Sequence, residues 1–123
     1  MFDDPKAPRS VEAVIAATDA EVHPFAMAAR CCGASHMNTK TAVGLQLVAA
    51  ILDDVRGADA VVTVCPMCQM NLEACQRKAS RVAGRDLVIP VLYLPQLLGL
   101  APEALGLDLN LAVPAGFIER LAA

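Results

Sequence analysis

Four of the five cysteines fall into two tight pairs: Cys31-Cys32, followed by Gly33, and Cys65-Pro66-Met67-Cys68. A thiolate is both a nucleophile and a soft metal ligand, which suits it to zinc, to an iron–sulfur cluster or to dithiol exchange. Cys65 and Cys68 lie three residues apart and can grip one metal ion or neighbouring irons. Adjacent cysteines behave differently, because their side chains diverge. Cys31 and Cys32 are poorly suited to chelating a single tetrahedral ion together and better suited to different irons of a cluster.

Zinc meets two further difficulties. Structural zinc sites usually pair two C-x-x-C-like knuckles, and one of them is replaced here by Cys-Cys. The separation between the pairs also exceeds the ~15–20 residues of compact zinc modules. Metal-free dithiol chemistry by Cys65 and Cys68 leaves Cys31 and Cys32 unexplained. The residues therefore predict that Cys31, Cys32, Cys65 and Cys68 converge on one metal-binding site. An iron–sulfur cluster is the favoured occupant and Zn the alternative.

Cys75 reads differently. It is seven residues beyond Cys68, which on a helix is roughly 10 Å along the axis, so it is assigned to the core as a small apolar side chain. His36, four residues after Cys32, is a candidate ligand, proton donor or outer partner of the thiol site. His23, Met67 and Met70 read as loop and packing residues.

The elements that must position these groups alternate between helix and strand, which predicts a small layered α/β domain with a mostly parallel sheet flanked by helices. Ser10 is read as the N-cap of a first helix with Val11, Val14 and Ile15 on its apolar face. Glu21 to Phe25 is read as a short strand, weakened by Pro24. Arg30 to Met37 forms the loop holding Cys31-Cys32-Gly33. Asn38 or Thr39 is expected to cap a second helix, in which Leu45, Val48, Leu52 and Val55 recur at helical spacing and which Gly57 terminates.

Ala58 to Val64 is a β-branched run and predicts a buried strand delivering Cys65. Pro66 fits the first position of a third helix running to about Val82. Leu87 to Leu94 is the last clear strand, followed by helical pieces over Pro95–Leu100 and Ala115–Leu121. The junction at Cys65 is the informative point, because ligands in open α/β sheets lie beyond the carboxyl ends of the strands. A helix N-terminus there also favours thiolates.

Bulk properties exclude several classes. The chain of 123 residues is about one domain. It is 56% hydrophobic and 19% charged, with a formal charge of −3; this is an ordered composition without the basic surface that nucleic acid requires. Mean hydropathy is +0.49. The longest apolar stretch, Leu87 to Ala101, is nevertheless shorter than the roughly 18–20 residues of a transmembrane span, and Pro90 and Pro95 interrupt it. The acidic start, Met1-Phe2-Asp3-Asp4-Pro5-Lys6, lacks an apolar signal core. Clustered cysteines without a secretory signal indicate a reducing, cytoplasmic setting.

The ordered set Cys31-Cys32-Gly33 and Cys65-Pro66-Met67-Cys68-Gln69-Met70-Asn71-Leu72-Glu73 resembles the cysteine-rich CCG domain found in the B subunit of heterodisulfide reductase. The likeness begins at Phe2-Asp3-Asp4-Pro5 and continues through Gly57-Ala58-Asp59-Ala60 and Val91-Leu92-Tyr93-Leu94-Pro95-Gln96-Leu97-Leu98-Gly99. It covers nearly the whole chain, which looks like the second of the two CCG domains in that protein. The resemblance implies a non-cubane 4Fe–4S cluster, with Cys31, Cys32, Cys65 and Cys68 as ligands. It also implies a disulfide substrate, a flavin-containing partner like the family's A subunit and a small iron–sulfur partner like its C subunit.

In the family a further cysteine ends a strand upstream of the Cys-Cys pair; here it would fall at or before residue 1. Residues 1–123 are therefore expected to form a single CCG domain lacking its first strand, equivalent to the C-terminal half of the heterodisulfide reductase B subunit. The chain would then be a fragment, a split protein or the product of a misplaced start. His36 is the candidate replacement for the missing ligand.

Overall fold

The computed structural model describes residues 3–99. The first helix, α1 (Ser10–Ala16), starts one residue earlier than a Ser10 cap requires. Ser10 is its first helical residue, and the cap comes from far upstream. The Asp3 carboxylate accepts the Arg9 N–H at 3.0 Å and the Ser10 N–H at 2.8 Å, which satisfies donors that a helix N-terminus leaves free. Donation from the Ser10 side chain and backbone, with the Arg9 N–H, holds the Asp3 carboxyl well below the usual carboxylate range. Val11, Val14 and Ile15 do not reach the core, and α1 buries no residue.

No strand forms over Glu21 to Phe25. Pro24 has no N–H to give a ladder, and no neighbouring strand runs beside this segment among the described residues. Phe25 and Met27 instead lean on the core, and the Met27 N–H is held at 3.0 Å by Asp54 Oδ2. A 3-10 turn, Ala34–His36, follows the Cys-Cys-Gly loop and leads into α2 (Thr41–Asp54). This helix begins later than an Asn38 or Thr39 cap would place it. The His36 carbonyl accepts the N–H groups of Thr39 and Lys40 at 3.2 and 2.7 Å, so tight turns continue to Lys40. Gly44, Val48, Ala49, Ile51 and Leu52 form the buried stripe of α2. Gly57, at φ +95°, turns the chain away after it.

Strand β1 (Val61–Thr63) pairs in parallel with β2 (Val91–Tyr93), Val61 opposite Val91 and Thr63 opposite Tyr93. The crossover between them carries α3 (Pro66–Ala74) and α4 (Gln76–Ala83). The long third helix read from the sequence is thus two helices. They part at Cys75, yet hydrogen bonds run through the junction, from the Cys75 N–H to the Asn71 carbonyl and from the Ala79 N–H to the Cys75 carbonyl. Both strands are shorter than their β-branched runs. The flanking residues leave the two-stranded ladder.

Buried Gln76 replaces a missing ladder neighbour before β2. Its side-chain amide donates to the Ile89 carbonyl at 2.7 Å and accepts the Ile89 N–H at 3.0 Å. The chain then turns into α5 (Leu94–Leu97). Helices α2 and α4 pack on each other, with Val48, Leu52, Ala79, Val91 and Leu92 deepest in the core. This is a small α/β domain with a parallel sheet. The piece expected at Ala115–Leu121 lies outside the described residues, as does residue 100 at the end of the Pro95–Leu100 piece.

Candidate metal centre

Cys65 is the N-cap of α3, in extended conformation, with Pro66 at the first helical position. Its sulfur faces free N–H groups. Hydrogen bonds from the Cys68 N–H, the Cys68 thiol and the Met67 N–H lower its pKa below that of a free cysteine. This is the usual means by which a helix N-terminus stabilises thiolate. Cys68 lies one turn into the helix and behaves oppositely. Burial first, then hydrogen bonding to the Cys32 and Cys65 thiols, pushes it up to about 12. The pair therefore shares one easily removed proton, that of Cys65, with Cys68 donating to it.

Cys32 comes from the loop ahead of the 3-10 turn and joins the core cluster against which Cys68 packs. It is buried, at 5% exposure, while its neighbour Cys31 is exposed. The divergence expected of adjacent cysteines is thus realised as one sulfur in and one out. The Gly33 N–H points at Cys31 Sγ, 3.4 Å away. Gly33 has φ +80°, and a Cβ placed there would lie 3.1 Å from the Gly44 Cα and carbonyl oxygen. The Cys-Cys loop therefore lies backbone to backbone on α2, a contact that requires glycine in the loop.

Cys32, Cys65 and Cys68 are brought together around the Cys68 thiol, and Cys31 stands at the exposed rim of the same loop. Among the described residues, no three His, Cys, Asp or Glu side chains form an array that could hold a single metal ion. The donor set nevertheless fits soft-metal chemistry: three thiols gathered at Cys68, one of them predisposed to ionise, and a fourth on the adjoining residue. Among the described residues, no hydrogen bond joins the His36 imidazole to these cysteines. Cys75 is buried in the core at 8% exposure.

Two residues of the site carried no prediction. Gly44 on α2 receives the Cys-Cys-Gly loop. Asn71, buried at 6% exposure, donates from Nδ2 to the Cys32 carbonyl at 2.8 Å and ties α3 to that loop. The available signal was an amide of modest helix propensity three residues after Cys68, on the same face of the helix.

A small α/β domain that gathers thiols at the end of a strand is a cysteine-rich domain in the literal sense. The family described as CCG, Cysteine-rich domain, matches residues 2–73, and the chain belongs to this family. It is similar to the 8-methylmenaquinol:fumarate reductase membrane anchor subunit of Wolinella succinogenes, with 34% identity over 89% of this chain and 40% of that protein. It is also similar to the B subunit of the Ferredoxin/F(420)H(2)-dependent CoB-CoM heterodisulfide reductase of Methanosarcina acetivorans, 30% identical over 94% of this chain and 41% of that protein. The B subunit of the Ferredoxin:CoB-CoM heterodisulfide reductase of Methanosarcina mazei is 29% identical over 96% of this chain and 42% of its own length. The chain spans about two-fifths of the length of these relatives. Among the described residues, no helix is long and apolar enough to cross a membrane.

Proposed function

We propose that this chain is an iron–sulfur redox module of a multi-subunit, heterodisulfide-reductase-like complex, with Cys31, Cys32, Cys65 and Cys68 holding a 4Fe–4S cluster. The observation that carries the reading is the gathering of Cys32, Cys65 and Cys68, with the exposed Cys31 on the residue adjoining Cys32. Sulfurs that diverge at the Cys-Cys pair suit separate irons better than one ion. A bound cluster would supply one-electron transfer beside the reacting sulfur of a disulfide substrate.

The chain's own contribution is to orient and to exclude. Cys65 loses its proton first and offers the first anionic ligand. Cys32 is buried and Cys68 is half-buried between α3 and the Cys-Cys loop. Cys31 faces outward, where a substrate or a further ligand would approach. Reducing a disulfide takes two electrons and two protons, so the module depends on electrons delivered by other proteins of the complex. A flavoprotein like the family's A subunit and an iron–sulfur protein like its C subunit are the proposed partners, in a cytoplasmic setting. Residues 1–123 would act as the C-terminal CCG domain of a longer protein or of a split one. A strand supplied upstream or by a partner would border the two-stranded sheet, and His36 or a cysteine from that strand would complete the ligand set.

Anaerobic reconstitution with iron and sulfide tests this. Brown protein with about four irons per chain, an EPR signal that responds to added thiol, and loss of iron in Cys65→Ser are expected. Colourless protein after reconstitution would overturn the reading. A second reading, a zinc-binding structural module on the same four cysteines, draws on the all-thiol donor set; it requires the side chains to rearrange, because among the described residues no three of them form a single-ion array. Stoichiometric zinc and unfolding on chelation would support it.

A further inference from the structure

We propose that Asn71 and Cys75 form a buried relay that positions Cys32, with Cys75 acting through the Asn71 amide rather than as a ligand. Both ends of the amide are used. Nδ2 donates to the Cys32 carbonyl at 2.8 Å, and Oδ1 accepts from the Cys75 thiol at 3.6 Å. The Asn71 backbone carbonyl also accepts the Cys75 N–H at 3.1 Å, at the junction of α3 and α4. A carbonyl cannot donate, so the Cys32 contact requires the NH2 end of the amide. A thiol beside the other end provides the donor that keeps the oxygen there.

All three residues are buried, and the two side-chain contacts lie at the heart of the domain, away from competing water. A misoriented amide would leave the Cys32 carbonyl unpaired, which costs far more inside a protein than at its surface. The relay therefore fixes the carbonyl, and with it the backbone from which the Cys32 sulfur projects toward Cys68. It also gives the fifth cysteine a reason to be a cysteine: a small apolar side chain that still carries a proton to donate.

The inference rests on Cys32 being a thiol of the proposed site, but its test does not depend on what the site holds. In reduced, metal-free protein, iodoacetamide labelling of each cysteine is followed by peptide mass spectrometry. Cys32 is expected to react slowly and Cys31 fast. Asn71→Ala should raise the Cys32 rate about tenfold, the scale of one buried hydrogen bond, with Cys31 unchanged. Asn71→Asp keeps the shape and the acceptor but has no NH2 to offer, and should do the same if the alanine variant does not fold.

Cys75→Ala should accelerate Cys32 as well, whereas Cys75→Ser, which restores a donor, should return it close to the wild-type rate. Unchanged Cys32 labelling in both Asn71 variants would overturn the proposal, as would Cys75→Ser behaving like Cys75→Ala. Equal acceleration of Cys32 and Cys68 would also overturn it, because that marks general loosening. Iron content of reconstituted wild-type protein is read separately: failure to take up iron sinks the cluster reading and leaves the relay standing.

Discussion

Cys65 and Cys68 are three residues apart, yet their surroundings drive their protons in opposite directions. Cys65 receives N–H groups at the mouth of α3, while Cys68 is desolvated and donates. In the metal-free protein, Cys65 is expected to show an alkylation midpoint below the roughly 8.5 of a free thiol. Cys68 is expected to stay unreactive until strongly alkaline pH. Rates measured against pH, residue by residue, check this; coincident profiles would show that the helix N-terminus does not separate the two thiols. The gathering of Cys32, Cys65 and Cys68 was legible because thiols are rare and their spacing is informative. The roles of Asn71 and Gly44 were not, because each depends on a contact between segments apart in the chain.

At the scale of elements, the Cys-Cys loop is held to α2 by the Gly33–Gly44 contact. Gly33→Ala places a Cβ in a left-handed conformation and 3.1 Å from Gly44 backbone atoms, and should cost about 1–3 kcal/mol. Gly44→Ala meets chiefly the Met37 sulfur at 2.5 Å, on a flexible side chain, with the Gly33 oxygen at 3.2 Å. An alanine there also gains helix propensity of about 0.5–1 kcal/mol, so this change should cost less. Urea denaturation of both variants tests the order; a larger loss for Gly44→Ala would contradict the packing argument. Gln76→Leu conserves bulk but strands the N–H and carbonyl of Ile89, and should cost about 2–4 kcal/mol in the same urea measurement.

The strand–helix junction at Cys65-Pro66 was readable because proline at the first helical position is a local signal. The strands are shorter than their sequence runs for a physical reason. A β-branched run such as Ala58–Val64 reports extension, whereas a ladder also needs a neighbour; the expected burial fails too, for only Val61 of the run is buried and Val64 is exposed. Likewise, the apolar spacing of α3 and α4 is continuous through Cys75 and gives no sign of the break there.

Across the whole molecule, two half-buried carboxylates tie separate segments together. Asp3 joins the N-terminal loop to α1, and Asp53 at the end of α2 pairs with Arg85 beyond α4, Nε to Oδ1 at 2.8 Å. The Arg85 hydrogen bond and, to a lesser degree, the Arg56 charge lower the Asp53 pKa, and hydrogen bonds from Ser10 and Arg9 lower that of Asp3. Both groups bind protons less readily folded than unfolded. Their stabilisation is therefore present in full above the ordinary carboxylate value of 3.8 and is lost as pH falls through the depressed folded values. Thermal midpoints of the metal-free protein should hold steady from neutral pH to about pH 5 and fall below about pH 4. Because the Asp53–Arg85 pair remains partly open to water, the Asp53 contribution should also shrink at high salt. Asp53→Asn should lower the midpoint at neutral pH and make its acid slope shallower, and Asp3→Asn should do the same. An acid slope identical in wild type and both variants would assign the acid sensitivity to other carboxylates and leave α2 and α4 held together by their apolar faces alone.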